Sequence, residues 1–299
     1  MDDGSGPDLL DPPFLVLEPR AQAAPVVFAS PHSGNVYPQQ FVRQTRLDAI
    51  TLRGSEDAFI DDLFDAAPDL GMPLIKARFP RAYVDVNRGP WELDPGMFSD
   101  RLPDFVDRAS PRARAGIGTI ARVVSDGAEI YPGKLTFAEA RRRIETLYMP
   151  YHARLDALLD AAHARWSRCL LVDCHSMPSG AAPGCVGARA DFVLGDCHGS
   201  SCMAAITDLA ERSLRALGYT VSRNDPFAGG FATRHHGRPW QDRHALQVEI
   251  NRGLYMHEAR LEPRPYFATL AAHLAGLMAA LRDLLRAEAA AENDARAAS

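Results

Sequence analysis

Cys169-Leu170-Leu171-Val172-Asp173-Cys174-His175-Ser176 reads as a buried strand that ends in a histidine. Its length and apolar, branched content suit an interior strand rather than a helix. A second run, Val26-Val27-Phe28-Ala29-Ser30, leads in the same way into Pro31-His32-Ser33-Gly34. α/β sheets bind ligands in crevices at the carboxyl ends of their strands, and imidazole is the commonest metal-binding side chain. Two histidines in equivalent places therefore point to a metal-dependent α/β enzyme.

Working outward, strand-like runs fall at 25–30, 73–79, 82–86, 169–174, 191–195, 219–223 and 245–250. Helical spacing predicts helices near 56–67, with Ser55 as N-cap, and near 136–166, 200–217 and 266–290. Pro150 should kink or interrupt the second of these. The alternation predicts an α/β fold with a mixed central sheet and helices on both faces. No linker divides the chain, so residues 14–290 read as one catalytic domain between flexible termini, 1–13 and 291–299.

The 299 residues are 46% hydrophobic and 24% charged, with a net charge of −5. That balance is ordinary for a globular chain and offers no basic field for nucleic acid or an anionic membrane. No apolar run approaches the roughly 20 residues a membrane helix needs. The acidic start, Met1-Asp2-Asp3-Gly4, is a poor secretory signal. Five cysteines, at 169, 174, 185, 197 and 202, include no CxxC pair and suggest no disulfide framework. The expectation is a cytoplasmic protein with no nucleic-acid or membrane partner and with its cysteines structural or neutral.

Several segments could complete a site. Ser55-Glu56-Asp57 opens the first expected helix, where acids favour the macrodipole. A catalytic zinc also needs three protein ligands and an open position, so a carboxylate from this segment could join His32 and His175, Asp57 first and Glu56 in reserve. Tyr83-Val84-Asp85-Val86-Asn87-Arg88 runs into an Asn-Arg pair, and Asn251-Arg252 repeats it after Ala245-Leu246-Gln247-Val248-Glu249-Ile250. Arg88 and Arg252 could pair with nearby acids or clamp carboxylates through their planar forks. Glu249, on the polar side of its strand, is either a general base or the partner of Arg252 or His244. The segment Gly229–Pro239 holds no phosphate-loop pattern. It reads as a mobile substrate loop, because His235 and His236 would point apart on extended backbone.

Taken in order, Ser30-Pro31-His32-Ser33-Gly34, Ser55-Glu56-Asp57, the stretch from Arg78 to Arg88, Asp173-Cys174-His175-Ser176-Met177-Pro178, and the stretch from Ala245 to Met256 resemble the N-formylglutamate amidohydrolase family. The resemblance runs from about residue 25 to 285. It implies a fold similar to zinc carboxypeptidases and aspartoacylases, and zinc-dependent hydrolysis of small N-acylated amino acids. The implied roles fall on His32 and His175 as zinc ligands, Glu249 as base, and Asn87 and Arg88 as binders of substrate carboxylate. In carboxypeptidase-like groups the acidic ligand stands three residues after the first histidine. Here that residue is Asn35, a poor zinc ligand, so the acid must come from Glu56 or Asp57. In the implied mechanism zinc lowers the pKa of a water towards about 7. Glu249 takes the proton and returns it to the departing amine. Arg88 or Arg234 helps zinc to stabilise the oxyanion, while Arg88 and Arg252 hold carboxylates. The competing readings are an inactive protein that binds an acidic metabolite and a metal-dependent phosphoesterase. The second usually needs a further Asp/His cluster, and none is evident in the sequence.

Overall fold

The computed structural model describes residues 10–124, 127–179 and 190–297. Cys185, residues 1–9 and residues 298–299 lie outside them. The chain packs as two compact units. One comprises the chain to Leu15, His32–Glu56 and Ala77–Ala153; the other comprises Val16–Pro31, Asp57–Lys76 and the chain from Arg154.

Among the described residues, strands β1 (Phe14–Leu17), β2 (Val26–Ser30), β3 (Leu74–Ala77), β4 (Cys169–Met177), β5 (Phe192–Gly195), β6 (Val221–Arg223) and β7 (Arg243–Asn251) form one sheet. Its order is β1-β3-β2-β4-β7-β5-β6. β2 runs parallel to β3 and β4, and β4 runs parallel to β7. β5 is parallel to β6 but antiparallel to β7, so the sheet is mixed as expected. The helices are α1 (Gln39–Gln44), α2 (Ala49–Arg53), α3 (Ile60–Leu63), α4 (Pro111–Arg114), α5 (Phe137–Arg143), α6 (Met149–Trp166), α7 (Ala204–Ala216), α8 (Phe231–His236), α9 (Arg252–Tyr255) and α10 (Phe267–Ala297).

Strand alternation assigns the two faces of the sheet. Phe28, Leu170, Val172, Cys174, Leu246, Val248 and Ile250 form one core with residues of α3, α7 and α10. The intervening residues, Asp173 and His175 on β4 and Gln247 and Glu249 on β7, point to the opposite face, against which α8 packs. On α10, Leu270, Leu274, Leu277, Leu281 and Leu285 repeat at three and four and are buried. Each contributes about 1.5–3 kcal/mol by leaving water. Against the sequence expectation, α10 is long and apolar enough to cross a membrane by length and composition. The packed leucine stripe gives those residues a place in the core.

Several elements differ from expectation, each for a local reason. Residues 82–86 are not a strand. The Tyr83 and Val84 N–H groups turn back onto the Pro80 carbonyl at 2.9 and 3.3 Å, and the Asp85 side chain takes the Asn87 N–H. The helix expected over 56–67 shrinks to α3, and Ser55 does not cap it. Phe59, at the helix start, has φ +65°, a conformation costly for a bulky L-residue. This strained entry lies two residues beyond Asp57. Pro150 acts as expected: the long helix is interrupted by a π-turn over Ile144–Tyr148 that joins α5 to α6 just ahead of it and accommodates a ring nitrogen that cannot donate. α10 continues through residues 291–297. The expected loop over residues 229–239 contains helix α8.

Candidate metal centre and active site

His175 lies inside β4 rather than at its end, because the strand continues to Met177. Its Nδ1 is 3.1 Å from Asp57 Oδ2 and its Nε2 is 3.0 Å from Asp173 Oδ1. Glu249 stands beside it on β7, in register with it. Burial alone would push the imidazolium pKa down. Asp173, Asp57 and Glu249 more than offset burial and hold it well above the ordinary value. The surroundings of this ring therefore call for positive charge, as a proton or a metal ion.

His32 follows β2 after Pro31. β2 pairs with β4, with Ala29 opposite Asp173. The ligating atoms of His32, Asp57 and His175 lie within 4.8 Å of one another, and all three residues are buried. This group is compatible with a bound metal ion.

His32 Nε2 meets Asp85 Oδ1 at 2.8 Å. The same oxygen accepts the Asn87 N–H at 2.8 Å, and Arg81 Nη2 donates to Oδ2 at 2.9 Å. Burial raises the Asp85 carboxyl, but Arg88, His32 and Arg81 outweigh it and hold the group well below the usual carboxylate range. An ionised Asp85 only accepts, so His32 carries its hydrogen on Nε2 and, when neutral, its lone pair on Nδ1. Gly34 completes this turn. A Cβ there would lie 2.2 Å from the Phe79 carbonyl oxygen, so only glycine permits this approach.

The two candidate acids separate clearly. Asp57 accepts from Ser176 Oγ at 3.3 Å and from Arg252 Nη2 at 3.0 Å, besides facing His175. Glu56 is buried but faces elsewhere, accepting from Arg53 through both carboxylate oxygens and from Tyr37 Oη at 2.6 Å. Asn35 is exposed. Glu249 accepts from Gln247 Nε2 at 2.9 Å. His244 lies five residues away on β7, and neither of its ring nitrogens has a hydrogen-bond partner among the described residues. Arg252 is buried, with Nε on Ser176 Oγ at 3.0 Å and Nη2 on Asp57. Arg252 and Asp57 thus form a buried ion pair.

Asn87 is buried. Arg88 donates to the carbonyls of Ile117 and Asn87 at 2.8 and 3.0 Å and has Nη2 3.8 Å from Asp85 Oδ2. Through Asp85, this Asn-Arg pair belongs to the same network as His32. Arg234 is exposed on α8 and donates to the Gly229 carbonyl. The sequence reading missed Asp173 as a partner of His175, Asp85 as a partner of His32, and Ser176 and Gln247 as supports. Their signal was a polar residue inside an apolar run, since a buried charge requires a partner. A second Asp/His group, Asp156, His235 and His236, also exists, contrary to the sequence expectation. It shares no residue with the first, whereas two-metal hydrolytic sites hold ions about 3.5–4 Å apart.

A mixed α/β sheet with a buried His₂-Asp group defines a candidate metal-centred α/β protein. Residues 24–256 match the model of the N-formylglutamate amidohydrolase family, and the chain belongs to that family. It is 30% identical to the N-formylglutamate deformylase of Pseudomonas putida over 250 residues, covering 83% of this chain and 86% of that one. The Pseudomonas aeruginosa enzyme of the same name is 31% identical, with 90% and 94% covered. Among solved structures, N-formylglutamate amidohydrolase from Ralstonia eutropha superposes with a TM-score of 0.87 at 39% identity, covering 92% of this chain and 99% of that one. An Agrobacterium tumefaciens gene product shares the fold, with a TM-score of 0.65 at 20% identity over 91% of this chain and 94% of that one.

Proposed function

We propose that this chain is a zinc-dependent amidohydrolase that cleaves N-formylglutamate, or a closely related N-acyl amino acid, into the free acid and the amino acid. The observation that carries the reading is the buried His32–Asp57–His175 group with Glu249 beside His175, in a chain of this family. Zinc bonds of about 2.0–2.2 Å place tetrahedral ligand atoms roughly 3.3–3.6 Å apart. The 3.1 Å between Asp57 and His175 is close to that spacing. Two imidazoles and a carboxylate suit zinc, and Asp85 and Asp173 behind the rings are the outer carboxylates that orient histidine ligands.

Bound zinc would supply Lewis acidity to a water molecule and to the amide carbonyl. The protein's own groups supply the rest. Glu249 accepts the proton of the attacking water and delivers it to the departing amine; Gln247 fixes its carboxylate. Asp85 holds the hydrogen of His32 on Nε2, and Asp173 does the same for His175, so both rings present Nδ1 to the centre. Arg88, with Asn87 beside it, binds a substrate carboxylate, and Arg234 is the candidate for a second anionic group. Arg252 we assign to positioning Asp57, because its Nη2 donates to Asp57 and its Nε to Ser176, which itself donates to Asp57.

Turnover of N-formylglutamate, compared with other N-acyl amino acids and a generic phosphoester, tests the reading. The expected result is preferential release of formate, lost together with the zinc ion of this centre in the His32→Ala, His175→Ala double variant. Full zinc content in that variant, or hydrolysis of the phosphoester alone, would overturn it.

A further inference from the structure

The sequence reading sets His235-His236 aside because neighbouring side chains diverge on extended backbone. The structure makes the stretch helical, where successive side chains are only about 100° apart around the axis. Their rings lie 4.9 Å apart at 86°. Asp156, from α6, reaches both: its Oδ1 is 3.4 Å from His236 Nδ1, and one ligand atom from each of the three residues falls within 4.8 Å of the others. Phe231 stacks on His235 at 4.9 Å and 15°, fixing that ring one turn along α8. His236 is buried, Asp156 half-buried and His235 exposed, so the group has an anchored side and a side open to solvent. Arg238 and Arg243 also act on Asp156, but Arg243 is paired with Asp160 at 2.6 Å.

We propose that Asp156, His235 and His236 form a second metal site, distinct from the His32 centre, for a late first-row divalent cation such as Zn²⁺ or Cu²⁺. Two imidazoles and a carboxylate select that class over Mg²⁺ or Ca²⁺, which prefer oxygen ligands. An ion here pins the C-terminal end of α8 to α6. The other end of α8 is tied to the base of the proposed reaction: the Gly230 N–H donates to Gln247 Oε1 at 2.7 Å, and Gln247 donates to Glu249. The site is thus placed to stiffen the support of Glu249.

The test is equilibrium dialysis of chelator-treated full-length protein against micromolar free Zn²⁺, with metal counted by mass spectrometry. Wild type is compared with His235→Ala and Asp156→Asn, neither of which removes a buried side chain. Each variant is expected to bind one zinc ion fewer than wild type while keeping its circular dichroism. The Cu²⁺ form should show altered imidazole nitrogen hyperfine coupling in its electron paramagnetic resonance spectrum in His235→Ala, because one of the two ring ligands is removed. Zinc counts equal to wild type in both folded variants would overturn the proposal, as would unchanged copper spectra. The readout is a difference between chains, so it does not depend on whether zinc occupies the His32 centre.

Discussion

Replacing the adjacent acids one at a time, Asp57→Asn and Glu56→Gln, separates a metal ligand from a structural carboxylate. Both are almost fully buried, and both amides preserve shape. Asp57 faces His175, Ser176 and Arg252. Its amide leaves the Arg252 guanidinium, 8% exposed, against a neutral group, and breaking a buried pair in this way costs about 3–5 kcal/mol. It also removes one of three proposed ligands. Loss of an outer partner already weakens metal affinity by roughly 10–100-fold, so loss of the ligand itself should exceed ~100-fold. Glu56 instead accepts from Tyr37 and Arg53, and the Arg53 side chain is 32% exposed. Water can re-solvate that guanidinium, so Glu56→Gln should cost only about 1–3 kcal/mol and leave zinc affinity unchanged. Competition with a zinc chelator gives the affinities, and urea unfolding of the metal-free proteins gives the stabilities. Wild-type zinc affinity in Asp57→Asn, or a large loss confined to Glu56→Gln, would refute the assignment.

Glu249→Gln should retain zinc and thermal stability but lose about 10²–10⁴-fold in kcat; an unaltered kcat would leave Glu249 a structural residue. Arg88→Lys keeps charge but loses the planar fork, so kcat/KM should fall much further for N-formylglutamate than for its α-amide analogue, and equal losses would show that Arg88 does not read that carboxylate. Burial drives the His244 pKa down to about 4 from 6.5, so the unfolded chain binds the extra proton and His244's contribution is complete above pH 6.5 and is lost as pH falls towards 4. Between pH 7.5 and 5 wild type should lose about 2 kcal/mol more stability than His244→Leu in urea melts, and parallel pH profiles would refute this.

The strands were legible where their signal is local. β2, β4 and β7 announce themselves by apolar runs, and the two histidines by their places at or near the strand ends. The same rule misreads residues 82–86, whose branched, aromatic run is bent by Pro80 into turns, and it stops β4 at Cys174 although the strand runs on through His175. Pairings distant in the chain were not legible at all. Arg252 and Asp57 stand 195 residues apart in sequence, and no spacing rule connects them, so their ion pair was not foreseen and the choice between Glu56 and Asp57 stayed open. The acids behind the histidines are a different matter. Asp173 stands in the apolar run of β4, and Asp85 in Tyr83-Val84-Asp85-Val86. Burying a carboxylate without a partner is far too costly for either to be filler, so each demanded a cation or a hydrogen-bond donor nearby. Both turn out to hold a ring of the histidine pair, His175 and His32. Histidines near strand ends point to a site, but an acid embedded in an apolar run is the stronger indication that the ring beside it is held in a fixed orientation.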